Sequence, residues 1–143
     1  MAERYPTAGK VVDWGAIVAG FIVAFVIFVL LSLIVAMIGG GVVNPVAVGI
    51  ISFVSLLCGG WVSGYLAPYN GLLHGTLTAV LSVSLMVLMG VIASVVVTLA
   101  VPAIPSFAAC ATALFIYFIL QLIGGAIGGY IADLTTVRAI ART

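Results

Sequence analysis

The sequence predicts an all-α membrane protein, with four transmembrane helices arranged as two tandem helical hairpins and both the N- and C-termini cytoplasmic. Three observations predict it. Every charged residue lies near one end of the chain, at Glu3, Arg4, Lys10 and Asp13 or at Asp133, Arg138 and Arg142. The whole chain is 66% hydrophobic and 5% charged, against about 25% charged in ordinary soluble domains. Short clusters of Gly, Pro and Asn divide the charge-free run from Trp14 to Ala132 into four apolar intervals. Water does not solvate a surface so poor in polar groups, so the solvent is hydrocarbon, where a charge at mid-depth costs about 2.5–3.5 kcal/mol.

The first interval, about 14–38, opens after Asp13 and closes at Gly39-Gly40-Gly41. A carboxylate at that position suits the free N–H groups of a helix start. The interval is longer than the roughly 7–15 apolar residues of a cleavable signal, so a retained span is expected. The second, about 46–66, follows Asn44-Pro45 and stops before Pro68-Tyr69-Asn70-Gly71. The third, about 72–100, ends before Pro102 and Pro105-Ser106, and the fourth runs about 107–132. Each is long enough for the roughly 20 residues that cross a 30 Å hydrocarbon core. Backbone groups in lipid need partners within their own segment, which makes the intervals helices of one transmembrane domain, 1–143.

An even number of spans places both ends on one side. Arg4, Lys10, Arg138 and Arg142 then share that side, while the opposite loops, 39–45 and 101–106, carry no Lys or Arg. The positive-inside bias makes the shared side the cytoplasmic face of the cell (plasma) membrane. Tyr5, Trp14, Trp61, Tyr65, Tyr69 and Tyr130 fall near the same boundary, as an interfacial belt does, and only Tyr117 lies elsewhere. The short loops and tails hold no soluble catalytic or receptor domain. Cys58 and Cys110 stand at different depths, roughly 18 and 5 Å from the outer surface at 1.5 Å per residue. A disulfide needs Cα atoms within about 7 Å, so both are read as small apolar core residues.

Small residues recur in a pattern. Gly59-Gly60-Trp61-Val62-Ser63-Gly64-Tyr65-Leu66-Ala67 closes the second interval, and Gly124-Gly125-Ala126-Ile127-Gly128-Gly129-Tyr130-Ile131-Ala132 closes the fourth. A fainter upstream match sets Trp14-Gly15 against His74-Gly75. This reads as an internal repeat of two hairpins about an axis along the membrane normal. Each box contains two small-xxx-small pairs, Gly59/Ser63 and Gly60/Gly64, then Gly124/Gly128 and Gly125/Gly129. Residues four apart share a helix face, and small ones there let a neighbouring backbone approach closely. Looser stripes run along helix 1 (Ala16, Gly20, Ala24, Ser32, Ala36, Gly40) and helix 3 (His74, Thr78, Ser82, Gly90, Ser94, Thr98). The plainer reading is packing within the chain; the sharper one docks a neighbouring subunit on one stripe.

Few residues offer chemistry. A net charge of +1 without a basic run points away from nucleic acid. No Ser/His/Asp set, zinc motif, nucleotide loop or paired carboxylate stands in the sequence, so an enzyme is not expected. Asp13 and Asp133 sit at span ends, too shallow for a membrane proton carrier; Asp133 is expected to pair with Arg138 or Lys10. His74 and Gln121 are the candidates for a ligand or a polar contact. His74, the one histidine, precedes Gly75, and such an imidazole can ligate the metal of a tetrapyrrole. The alternative is a histidine bonded to a carbonyl or interfacial water, and no cofactor is expected. Gln121 lies one turn before Gly124 and Gly125, which places it at a helix interface as polar glue, such bonds averaging about 0.6 kcal/mol.

The segment from Gly59 to Pro68, followed by Gly71-Leu72-Leu73-His74-Gly75, resembles a box in a family of small four-helix bacterial integral membrane proteins of unknown function. The shared pattern is a GG-x-x-[small]-[small] helix end, a short turn, and G-x-x-H-G opening the next helix. Pro68-Tyr69-Asn70 stands where that family has basic turn residues. The resemblance implies the fold and the membrane but no mechanism. The function expected is that of a non-catalytic integral membrane protein acting through small-residue helix packing. It would serve as a structural or accessory subunit of a larger membrane complex or as a homo-oligomer, its partners being the bilayer and other membrane subunits or itself. The alternatives are a channel or facilitator for a small neutral solute and, third, pigment or haem binding through His74.

Overall fold

A computed structural model describes residues 12–39, 44–67, 70–100 and 107–140 of the chain. In its last two helices, side chains are described from Gly71 to Met89, at Ile92, and from Phe115 to Thr135. The described residues form four helices, α1 (Trp14–Ile38), α2 (Pro45–Leu66), α3 (Gly71–Ala100) and α4 (Phe107–Ile140), and no strand. All four are long and apolar enough to cross a membrane, consistent with a multi-pass membrane protein. The turns expected at Gly40-Gly41, Pro68-Tyr69 and 101–106, and the chain ends 1–11 and 141–143, lie outside the described residues, as do the surroundings of Gly90 and the side chains of Ser94, Thr98 and Cys110.

Local chemistry sets the helix starts. The Asp13 carboxylate accepts from the Gly15 N–H at 2.9 Å. The Asn44 side chain accepts from Val46 N–H at 2.9 Å, with Pro45 in the first turn, where its missing N–H costs nothing. Asn70, just before α3, takes φ 52°, a left-handed conformation that asparagine tolerates better than most residues. Its turn aims the first amides of α3 at α4, where the Asp133 carboxylate accepts from Gly71 N–H at 2.7 Å and Leu72 N–H at 3.1 Å. α2 and α3 each begin one residue before the expected boundary because Pro45 and Gly71 join the first turn.

The fourth helix runs on past the expected end of its span at 132, to Ile140. A charge ends a membrane span but does not end a helix. Between Asp133 and Ile140 there is no Gly or Pro to stop it.

The contacts fix the relative directions. Gly20 lies against Gly59 and Ser63, while Ala24 lies against Gly59, so α1 and α2 are antiparallel. Gly71 meets Asp133 and Gly129, while Ala79 meets Gly125, so α3 and α4 are antiparallel too. Gly49 touches Tyr117 and Leu120, Gly60 touches Gly125, and Gly64 touches Gly129 and Ala132, so α2 and α4 run parallel. The α2–α4 contact is the most extensive, followed by α1–α2 and α3–α4. α2 also touches α3, α1 touches α3 least, and α1 and α4 do not meet among the described residues. The section is a rhombus with α2 and α3 on its short diagonal.

Packing is inverted relative to a soluble bundle. The buried apolar side chains are mostly small or β-branched, such as Ala16, Ile17, Ala24, Ala79 and Ala132, while Phe25, Leu30, Leu33 and Met37 lie exposed. Lipid tails are as apolar as leucine, so nothing drives bulky side chains inward, and close backbone approach decides the interior. Trp14, Trp61, Tyr65 and Tyr130 are exposed at the end that holds Asp13 and Asp133, with the Trp61 and Tyr65 rings 6.0 Å apart.

Candidate functional site

The two glycine boxes meet. A Cβ on Gly60 would stand 2.5 Å from the Gly125 carbonyl oxygen and 2.9 Å from its Cα. Gly64 lies against Gly129 and Ala132, Gly124 against the Phe53 carbonyl, and Gly128 against the backbone of Leu57 and Trp61. Gly59 and Ser63 turn the other way, onto Gly20 and Ala24 of α1. All eight expected packing residues, Gly59, Gly60, Ser63, Gly64, Gly124, Gly125, Gly128 and Gly129, are buried. Gly125 and Gly129 also receive α3, through Gly75 and Gly71. Those two α3 glycines were not among the expected packing positions, yet they form a small-xxx-small pair of the same kind, and that spacing is the signal that marks them. The fainter upstream pairing joins unlike places, since Trp14 is 67% exposed and His74 is 1% exposed.

His74 ties the bundle end together. Its Nε2 accepts the Asp13 backbone N–H at 2.9 Å, so the ring proton sits on Nδ1, which donates to the Asn70 carbonyl at 3.1 Å. One imidazole therefore links the start of α1 to the turn before α3. Gly75 beside it carries no open face for a macrocycle, because a Cβ there would strike the Gly125 and Gly129 backbone. A metal at Nε2 would have to displace the Asp13 amide. The carboxylate of Asp133 caps α3; the side chains of Arg138 and Lys10, with which it was expected to pair, lie outside the described residues. No sequence pattern marked the Asp133 cap, since it joins residues more than sixty positions apart.

A third feature lies deeper. A cavity of about 230 Å³ is lined from all four helices, by Phe21, Ala24, Phe25 and Phe28 of α1, Ser52, Ser55 and Leu56 of α2, Ser82, Leu85, Met86 and Met89 of α3, and Gln121 of α4. Gln121 is 6% exposed, and its Nε2 donates to the Met86 Sδ at 3.5 Å, which crosses from α4 to α3. Ser55 donates to the Ile51 carbonyl at 2.7 Å, satisfying itself within its helix. Ser52 is 2% exposed and its hydroxyl has no hydrogen-bond partner among the described residues, a state shared with Ser63. A buried polar group without a partner costs about 1–3 kcal/mol. Among the described residues, no ionisable side chain lines the cavity.

No family model matches the chain, nor does any curated protein or solved structure.

Proposed function

We propose that this chain is a non-catalytic integral membrane protein of the plasma membrane that works by helix packing, as an accessory subunit of a larger membrane complex or as a homo-oligomer, with both termini cytoplasmic. The proposal extends to kinship with the small four-helix bacterial membrane proteins that its Gly59–Gly75 segment resembles. One observation carries the reading: the polar side chains at the bundle end are spent on holding helices. Asp13 caps α1, Asp133 caps α3, and His74 bonds two backbone groups. The glycine boxes support the same reading, since they serve close approach between α2, α4 and their neighbours. Partner contact then falls to the outer half of α1, where Phe25, Leu30, Leu33 and Met37 are exposed.

Purification in mild detergent at native abundance tests this. Light scattering with mass spectrometry should find a larger complex or a defined homo-oligomer. A monodisperse monomer without companions counts against the proposal.

A second reading, a facilitator for a small neutral solute, is favoured by the Ser52 and Gln121 side chains on a charge-free cavity. Proteoliposome flux decides it, with Gln121→Leu as control; permeability at the lipid background removes it.

A further inference from the structure

We propose that the cavity between α1, α2, α3 and Gln121 is a binding site for a neutral lipid-soluble molecule with an apolar body and at least one carbonyl or hydroxyl oxygen, entering sideways from the bilayer. Size comes first. An engineered apolar cavity of about 150 Å³ stays dry and binds benzene, and this one is about 230 Å³. It has room for a ring with a short substituent, or for a stretch of chain around an ester.

The walls specify the chemistry. One side is aromatic and apolar, built by Phe21, Phe25 and Phe28. The other side presents unfilled hydrogen-bonding groups. Among the described residues, the buried Ser52 hydroxyl has no partner and the Gln121 amide meets only a thioether, a weak acceptor. Within the described residues these two donors lack a good acceptor, and a ligand oxygen supplies one. With no charge on the walls, an ion would enter without compensation, so the ligand is neutral.

The route follows from the packing. α1 and α3 make the least extensive contact of any touching pair, and the cavity residues Phe25, Leu85 and Met89 are exposed on the bundle exterior. Ser52 lies seven residues along α2 from its start at Pro45, roughly 10 Å in at 1.5 Å per residue. An opening at that depth faces acyl chains, not water.

The test is photolabelling of the full chain in proteoliposomes with an alkylbenzophenone, a neutral aromatic ketone. Saturable labelling mapped to residues 21–28 and 82–89 is expected. Competition by a short-chain quinone identifies a quinone-type occupant, and competition by a monoacylglycerol identifies a glycerolipid ester; either supports the site. Diphenylmethane, which lacks the oxygen, should compete at least fivefold less well. Losing one hydrogen bond weakens binding roughly five- to tenfold, so Ser52→Ala and Gln121→Leu should each shift half-saturation by that factor, while Ser52→Thr retains binding. Labelling that rises linearly with probe, spreads evenly over exposed faces, or yields equally to diphenylmethane overturns the proposal. The mapping uses the wild-type chain, so it decides the question even where a variant does not fold. Binding is read separately from solute flux and from oligomeric state, so either reading above can fail without touching this one.

Discussion

Gly60→Ala is the sharpest perturbation of the helix seam, because a single methyl meets backbone, which cannot rotate away. The added Cβ would sit 2.5 Å from the Gly125 oxygen, 2.9 Å from its Cα and 3.1 Å from its carbonyl carbon. Ordinary contacts lie at about 3.5–4.0 Å, so α2 and α4 must part by roughly 1 Å. Overpacking of this kind costs about 1–3 kcal/mol, and three backbone atoms in the way place Gly60 toward the upper end. Alanine returns about 1 kcal/mol through helix propensity, leaving a net loss of about 2 kcal/mol. Gly49→Ala is the matched control. Its Cβ would meet the Tyr117 ring edge at 3.1 Å, and a ring edge can shift by a few tenths of an ångström. The propensity gain then offsets the contact, and stability should stay within about 1 kcal/mol of wild type. Reversible unfolding in mixed detergent micelles, followed by circular dichroism, measures both. If the two variants unfold alike, or if Gly60→Ala is the more stable, the backbone-contact reasoning is wrong.

The other predictions concern the bundle end and the topology. His74→Leu leaves the Asp13 amide without its acceptor and should lower stability by about 1–3 kcal/mol; a Soret band in the wild type that vanishes in the variant would instead make His74 a tetrapyrrole ligand. Asp133→Ala should cost about 0.5–2 kcal/mol as a lost helix cap, with hydrogen exchange accelerated first at Gly71 and Leu72. Single cysteines introduced at Thr7 and at Ala141, in a chain with Cys58 and Cys110 replaced by alanine, should both react with a membrane-impermeant thiol reagent from the cytoplasmic side; labelling from opposite sides refutes the even-span topology.

Much of the fold is legible in the chain because its signals are local. Trp14–Ile38 is a helix for reasons contained within it: apolar length, Asp13 ahead and Gly39 behind. The same holds for the start of α2 at Asn44-Pro45. The overrun of α4 to Ile140 was not legible from the charge at Asp133, since solvent preference and helix continuation are separate matters. Gly59, Gly60, Gly124 and Gly125 announce close approach by their spacing, but the spacing does not name the neighbour. Gly59 meets α1, whereas Gly60, one residue on, meets α4. Gln121 donates to a methionine of α3, an acceptor that had no mark in the sequence.

Sequence alone determined that this chain is built of four helices long and apolar enough to cross a membrane, and where small residues in them allow backbones to touch. Each of these depends on residues adjacent in the chain, whose transfer energies and turn preferences add up without reference to a partner. Tertiary structure alone decided that α2 runs beside α4, that His74 holds the start of α1, that Asp133 caps α3, and that Ser52 and Gln121 share a cavity. Those outcomes depend on how each helix is rotated about its axis. In water a polar face would have revealed that rotation, but in hydrocarbon every face is apolar, and only the packed bundle sets it.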